Sequence, residues 1–162
     1  MTLRERFLDL GREQIGKPSL WGAKTGDAFD CSGLVAWLLR ELGGPDLRAT
    51  HNTDRMWLEF DPVVGEPAPG DLGFYRPKKP LDDNDMEHVV ILLDGGLILT
   101  ADGATSKIHT VEDAKAAHAM VRIRGGYDYR ERFAGWRRFP LVEDAVGRPV
   151  GETGVVSDIG QF

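Results

Sequence analysis

Residues 28–39 read AFDCSGLVAWLL and include Cys31, the one cysteine of the chain. After this residue, apolar side chains recur every three or four positions, the spacing of one buried helix face. They are Leu34, Val35, Leu38, Leu39 and Leu42. The pattern predicts that Cys31 lies in the first turn of a buried α-helix. The free N–H groups and positive dipole end there favour an anion, so we expect this thiol to ionise more easily than a free one.

The residues beside Cys31 favour a nucleophile over a structural cysteine. A lone cysteine is most often a small buried hydrophobe, which needs neither polar neighbours nor glycine. Asp30, Ser32 and Gly33 instead offer hydrogen-bonding groups and room for a substrate. In the preceding glycine-rich loop, Trp21 either packs against the core or forms a wall of the site, and packing is the expected role.

Composition limits the possible partners. At 162 residues and 41% hydrophobic content, the chain predicts one domain, and its net charge of −6 gives no general attraction to nucleic acid or acidic membranes. One cysteine and four scattered histidines show no zinc-ligand spacing, so no metal and no cofactor is predicted. Neither a membrane-spanning stretch nor the apolar core of a signal peptide is present in the sequence.

Periodicity and turn signals predict alternating helices and strands. We expect helices at 3–15, 31–42, 52–59 and 110–120, and strands at 72–75, 87–93, 97–102, 121–124 and 135–140. The loop at 76–86 is expected to form a rim or lid over a site. His51 is expected at the surface. Residues 1–140 are interpreted as the catalytic domain, and 141–162 as a tail that is either disordered or docked elsewhere.

His88 is the candidate base, because a polar residue at the start of a buried strand is unexpected unless it has a specific role. The alternative is that it only caps the strand edge. With a hairpin turn at 94–96, counting outward places Asp102 opposite His88 and Thr100 one step diagonal, on the same sheet face. Asp102 would favour imidazolium, whereas Thr100 offers a neutral acceptor. A cysteine and a histidine on separate rigid elements predict acyl transfer on an amide bond.

Three blocks of the sequence, FDCSGLVAWLL, APGDLGFY and EHVVILLDGG, resemble in order those of the NlpC-type (NlpC and p-sixty) cysteine peptidases of bacterial cell walls. The resemblance runs from about Gly16 to Pro140. It implies a papain-like α+β fold, with the cysteine-bearing helix packed on a central antiparallel sheet. It also implies Cys31 as nucleophile, His88 as base, and cleavage of stem peptides between D-glutamate and a diamino acid.

By the same resemblance, Asp30 and Ser32 hold the polar end of the substrate. Trp21, from its place in the loop before the cysteine, is a further candidate contact. The sequence departs from the family at two positions. Residues 19–23, SLWGA, lack the tyrosine that the family often has before Trp-Gly, and Thr100 stands where a second histidine is common. The first departure favours an amidase or a protein-directed toxin as the alternative function. The second favours a non-catalytic relative that binds cell-wall peptide or serves in a phage tail or secretion device.

The implied partner is a peptidoglycan stem peptide or muropeptide, with no nucleic acid and no membrane insertion. Such a substrate lies outside the cytoplasm, whereas the sequence shows no signal peptide. We therefore expect phage association, delivery by a secretion machine, or a sequence trimmed at its N-terminus.

Overall fold

A computed structural model describes residues 1–141 of the chain, and the predicted tail from residue 142 onward lies outside them. The described part contains four α-helices and five β-strands. The helices are α1 (Leu3–Glu13), α2 (Cys31–Glu41), α3 (Thr53–Glu59) and α4 (Val111–Ala117). The strands are β1 (Leu72–Tyr75), β2 (His88–Leu92), β3 (Ile98–Asp102), β4 (Met120–Arg124) and β5 (Phe133–Arg137). No helix within residues 1–141 is both long and apolar enough to cross a membrane.

Each helix begins where the local sequence supplies a capping side chain. Thr2 caps α1 and Thr110 caps α4, in both cases with an acidic residue three positions later that completes a capping box. Asn52 caps α3 by accepting a hydrogen bond from the amide of Arg55. The four predicted helices are confirmed, and each is somewhat shorter than predicted.

The five strands form one antiparallel sheet in the order β4-β3-β2-β1-β5. Ile91 pairs with Leu99, and the amide of Leu93 donates to the carbonyl of Leu97 at 2.7 Å. This register is the one expected from a turn at 94–96. The sheet and the helices together confirm the predicted α+β, papain-like architecture.

The last strand differs from its prediction of 135–140. β5 begins at Phe133 and ends at Arg137, and Phe139 leaves the sheet to stack on Phe7 of α1, with ring centroids 3.8 Å apart. The aromatic character of this segment therefore contributes to helix–sheet packing beyond the strand as well as to the strand itself.

Both faces of the sheet are covered, as the continuous apolar run of β2 predicts. On one face, α2 packs against β2 and β3. On the other face, a second cluster of side chains covers the sheet; it comprises Tyr75, Val90, Leu92 and Ile98, with Tyr129, Phe133 and Trp136 packed against them. This packing fixes the start of α2 relative to the start of β2.

The prediction that His51 lies at the surface is wrong. The residue is 6% exposed, its Nδ1 lies 2.7 Å from Thr50 Oγ1, and its Nε2 contacts the carboxylate of Glu59. Burial lowers the pKa of His51, while Glu59 opposes that shift. His51 thus joins the loop before α3 to the end of that helix.

Candidate active site

Cys31 is the first residue of α2, and Asp30 is its N-cap. The Oδ1 atom of Asp30 accepts hydrogen bonds from the Gly33 amide at 2.6 Å and from the Ser32 hydroxyl at 3.4 Å. A side chain that binds the amide three residues later ends the extended backbone and begins the helix. The Asp-Cys-Ser-Gly order therefore fixes the start of the helix, and with it the first-turn position of the thiol, through local contacts.

The missing side chain of Gly33 leaves space for the preceding loop, at Ala23 and Lys24, rather than for a substrate. A Cβ at this position would lie 2.1 Å from the carbonyl oxygen of Ala23 and 2.9 Å from Cβ of Lys24. That same carbonyl accepts the amide of Asp30 at 2.7 Å. The loop that carries Trp21 can therefore approach the helix start only because residue 33 has no side chain.

Cys31 and His88 line the same cavity, which has a volume of about 950 Å³. Asp30, Ser32, Trp21 and Asp102 line it as well, together with Pro77, Lys79, Asp85 and Met86 of the loop predicted to form a rim. Trp21 is 58% exposed, so the expectation that it packs in the core is wrong and it forms part of the cavity wall. The cavity brings all the sequence-predicted site residues except Thr100 to its lining.

The Cys31 sulfur lies against the start of β2. The backbone amides of Val89 and Ser32 donate toward it and favour the thiolate, but burial and the charge of Asp30 together raise the pKa of Cys31 to about 12. Desolvation of the thiolate therefore outweighs the helix-start donors, and the expectation of an easily ionised thiol is not met in the free protein.

His88 is held as a neutral imidazole. Its side chain is buried, and this burial, together with the charge of Arg130, lowers the pKa of His88 to about 3 against the opposing effect of Asp102. With the thiol also protonated, both groups are neutral in the free protein.

Two hydroxyl groups contact the same ring nitrogen of His88. Thr100 Oγ1 lies 3.0 Å and the Tyr129 hydroxyl 2.9 Å from Nε2. Asp102 instead binds Arg124 of β4, with the guanidinium Nε donating at 2.8 Å. Of the two residues expected to orient His88, the structure therefore places Thr100 against its ring and directs the Asp102 side chain to the neighbouring strand.

Sequence analysis missed Tyr129 and Arg130. Tyr129 ends a short 3₁₀ turn, Tyr127–Tyr129, and Arg130 lines the cavity while its guanidinium binds Glu87 at 3.1 Å. The segment has neither helical nor strand periodicity, so no pattern in it indicated a role. Its aromatic residues were the only available signal. Within residues 1–141, no group of three or more His, Cys, Asp or Glu side chains is arranged to hold a metal ion.

Comparisons with known proteins agree with this architecture. The model of the NlpC/P60 family matches residues 16–125. The probable endopeptidase p60 of Listeria grayi is 29% identical over 91 residues, which cover 56% of this chain and 16% of the relative. A probable endopeptidase of Mycobacterium tuberculosis is 32% identical over 88 residues, which cover 53% of this chain and 20% of the relative. The chain thus spans a fifth or less of the length of these two curated relatives.

Solved structures share the fold at low sequence identity. An NlpC/P60 family protein from Bacillus cereus superposes with a TM-score of 0.64 at 22% identity, over 84% of this chain and 40% of that one. NlpC1 from Trichomonas vaginalis gives 0.65 at 22% identity, over 84% and 44% of the two chains. The peptidoglycan hydrolase RipB from Mycobacterium tuberculosis gives 0.56 at 22% identity, over 85% and 64%. The match to the family model over residues 16–125, supported by this shared fold, shows that the chain belongs to the NlpC/P60 family.

Proposed function

We propose that the protein is a cysteine peptidase that hydrolyses amide bonds in peptidoglycan stem peptides, with Cys31 as nucleophile and His88 as base. The observation that supports it best is the position of the Cys31 sulfur. It lies in the cavity that His88 also lines, within reach of the Val89 amide at the start of the same strand. RipB, which is described as a peptidoglycan hydrolase, shares this fold.

The neutral pair suits general-base activation of the thiol. Among residues 1–141, the two hydroxyl groups that contact the His88 ring both lie at Nε2, which leaves Nδ1 to accept the Cys31 proton as the sulfur attacks the carbonyl carbon. The Gly33 and Ser32 amides already donate to Asp30 and to the sulfur, so the amide of Cys31 itself is the proposed donor to the developing oxyanion. The imidazolium then gives its proton to the leaving amine as the C–N bond breaks. Water hydrolyses the thioester, releasing a carboxylic acid and restoring the thiol.

Charges of both signs line the cavity, with acidic groups in excess. The basic residues are Lys79 and Arg130, and the acidic residues are Asp30, Asp54, Asp85, Glu87 and Asp102. A stem peptide that contains D-glutamate and a diamino acid presents both a carboxylate and an amine. The bond between those two residues, which the family resemblance implies, is therefore the proposed cleavage site.

The test is digestion of purified muropeptides, with the products identified by mass spectrometry. We expect one new amine and one new carboxylate at the D-glutamyl–diamino acid bond, and none with Cys31→Ala. Activity retained by Cys31→Ala would contradict the proposal. Thermal unfolding of both proteins controls for loss of structure.

A second candidate is hydrolysis of a different amide by the same residues. The exposed Trp21 favours it, because this side chain forms the cavity wall near the position where the family often has a tyrosine. Intact muropeptides together with cleavage of other amides would favour this candidate. In both cases the Cys31→Ala variant should be inactive.

A further inference from the structure

We propose that Tyr129 is a positioning residue for His88, and that it shares the Nε2–H of the imidazole with Thr100. This inference rests on the proposed function and deepens it, because it assigns the group that orients the base. The two oxygens lie 2.9 and 3.0 Å from the same nitrogen. They reach it from different parts of the fold, Thr100 from β3 and Tyr129 from the 3₁₀ turn at Tyr127–Tyr129.

The direction of these hydrogen bonds follows from the proposed role of His88 as base. Burial raises the pKa of Tyr129 to about 12, so the group beside His88 is a neutral phenol. If either hydroxyl donated to Nε2, the single proton of a neutral imidazole would sit on Nδ1 and block the base. When Nε2 carries the proton and donates it to both oxygens, Nδ1 keeps its lone pair for the Cys31 thiol. Two acceptors around one N–H thus select the reactive tautomer.

Tyr129 is itself held in place by surrounding side chains. Its ring lies edge-on to Tyr75, with centroids 6.0 Å apart at 85°, and the Arg124 guanidinium stands 5.5 Å from its centroid. Arg124 is fixed in turn by Asp102. Asp102 thus fixes the Arg124 side chain beside Tyr129, and it acts on His88 itself only through its charge.

Sharing predicts that each acceptor can partly replace the other. In Tyr129→Phe or Thr100→Val, the Nε2–H retains one neutral acceptor; in the double variant it has neither within a buried site. We therefore expect the double variant to lose more than the product of the two single effects. Both substitutions keep the size of the side chain nearly unchanged.

The direct test is the ¹⁵N spectrum of the His88 ring, assigned by comparison with His88→Asn. We expect wild type and both single variants to hold the proton on Nε2, and the double variant to show a mixture of tautomers. This measurement needs no substrate, so it remains informative if muropeptides are not cleaved. Wild-type protein with its proton on Nδ1, or a double variant with an unchanged tautomer, would overturn the proposal.

The rate of Cys31 alkylation by iodoacetamide near pH 7 gives the second readout. We expect losses of about threefold or less in each single variant and of more than about tenfold in the double variant. Tyr127→Phe is the matched control, because it removes a phenol from the same turn at a residue that is 46% exposed. An effect of Tyr129→Phe that is equal in the presence and absence of Thr100→Val would contradict sharing.

Discussion

The two halves of the site, one around Cys31 and one around His88, differ in the sequence separation between each residue and its contacts. Cys31 is positioned by Asp30 and Gly33, which bind each other across three residues. His88 contacts Thr100 and Tyr129, which follow it by 12 and 41 residues. The proposed nucleophile therefore lies at one helix start, whereas the proposed base takes its position only once the sheet and the following turn have assembled.

Because of this difference, substitutions in the two halves should have different effects. A substitution at the helix start acts on local backbone geometry and on stability, while a substitution around the ring acts on tautomer and reactivity. Burial affects both halves alike, since it raises the pKa of Cys31 and lowers that of His88. Substitutions in each half can separate these effects.

Removing the base should have the largest effect on rate. With His88→Asn, no group accepts the proton of a thiol whose pKa is about 12. We expect amide hydrolysis to fall by about 10³-fold. His118→Asn is the matched control, because His118 caps α4 at a positive φ of 54° that asparagine also tolerates. A His88→Asn variant that kept more than about a tenth of the wild-type rate would argue against a base at this position.

Gly33→Ala should have the largest effect on stability. Alanine is the better helix former, yet its Cβ would meet the Ala23 carbonyl oxygen at 2.1 Å. We expect the free energy of unfolding to fall by about 1–3 kcal/mol, as measured by denaturant titration. Gly125→Ala has nothing within 4 Å of its Cβ and should leave stability nearly unchanged. Equal stability of the two variants would show that the loop does not depend on Gly33.

Asp30 combines a structural role with an electrostatic one, and two substitutions separate them. Asp30→Asn keeps an oxygen for the Gly33 amide but removes the charge that raises the pKa of Cys31. The thiol pKa should therefore fall, and alkylation at pH 8 should speed up about three- to tenfold. Asp30→Ala also loses the cap and about 1 kcal/mol of stability. An alkylation profile that moved to higher pH in Asp30→Asn would contradict this sign.

Asp102→Asn should have the smallest effect. It breaks the ion pair with Arg124, which is partly exposed, and leaves both hydroxyl contacts on His88 in place. We expect a loss of less than about 1 kcal/mol in stability and less than about threefold in hydrolysis. A loss as large as that of His88→Asn would instead make Asp102 the direct partner of the base.

Much of this architecture was predictable because it is encoded locally. Helix periodicity located α2, and the apolar run after His88 with the turn at 94–96 fixed the register of the hairpin. The same register placed both Thr100 and Asp102 on the His88 side of the sheet. It could not show which of them would touch the ring, because that depends on Arg124, a residue of the next strand.

Other features depended on contacts that sequence spacing does not reveal. Tyr129 reaches His88 from an irregular segment. The thiol is neutral because the effect of burial on its pKa outweighs that of the amide donors at the helix start. His51 was expected at the surface because the partner that permits its burial, Glu59, lies at the far end of α3. In each case, tertiary packing overrode a reasonable local expectation.

The claim that Cys31 carries the reaction is tested most directly by graded alkylation. Protein treated with increasing iodoacetamide is assayed for muropeptide cleavage, while mass spectrometry measures the fraction of Cys31 that has been modified. Since Cys31 is the one cysteine of the chain, the account predicts that residual activity equals the unmodified fraction and reaches background at full modification. Undiminished cleavage by fully alkylated protein would contradict it.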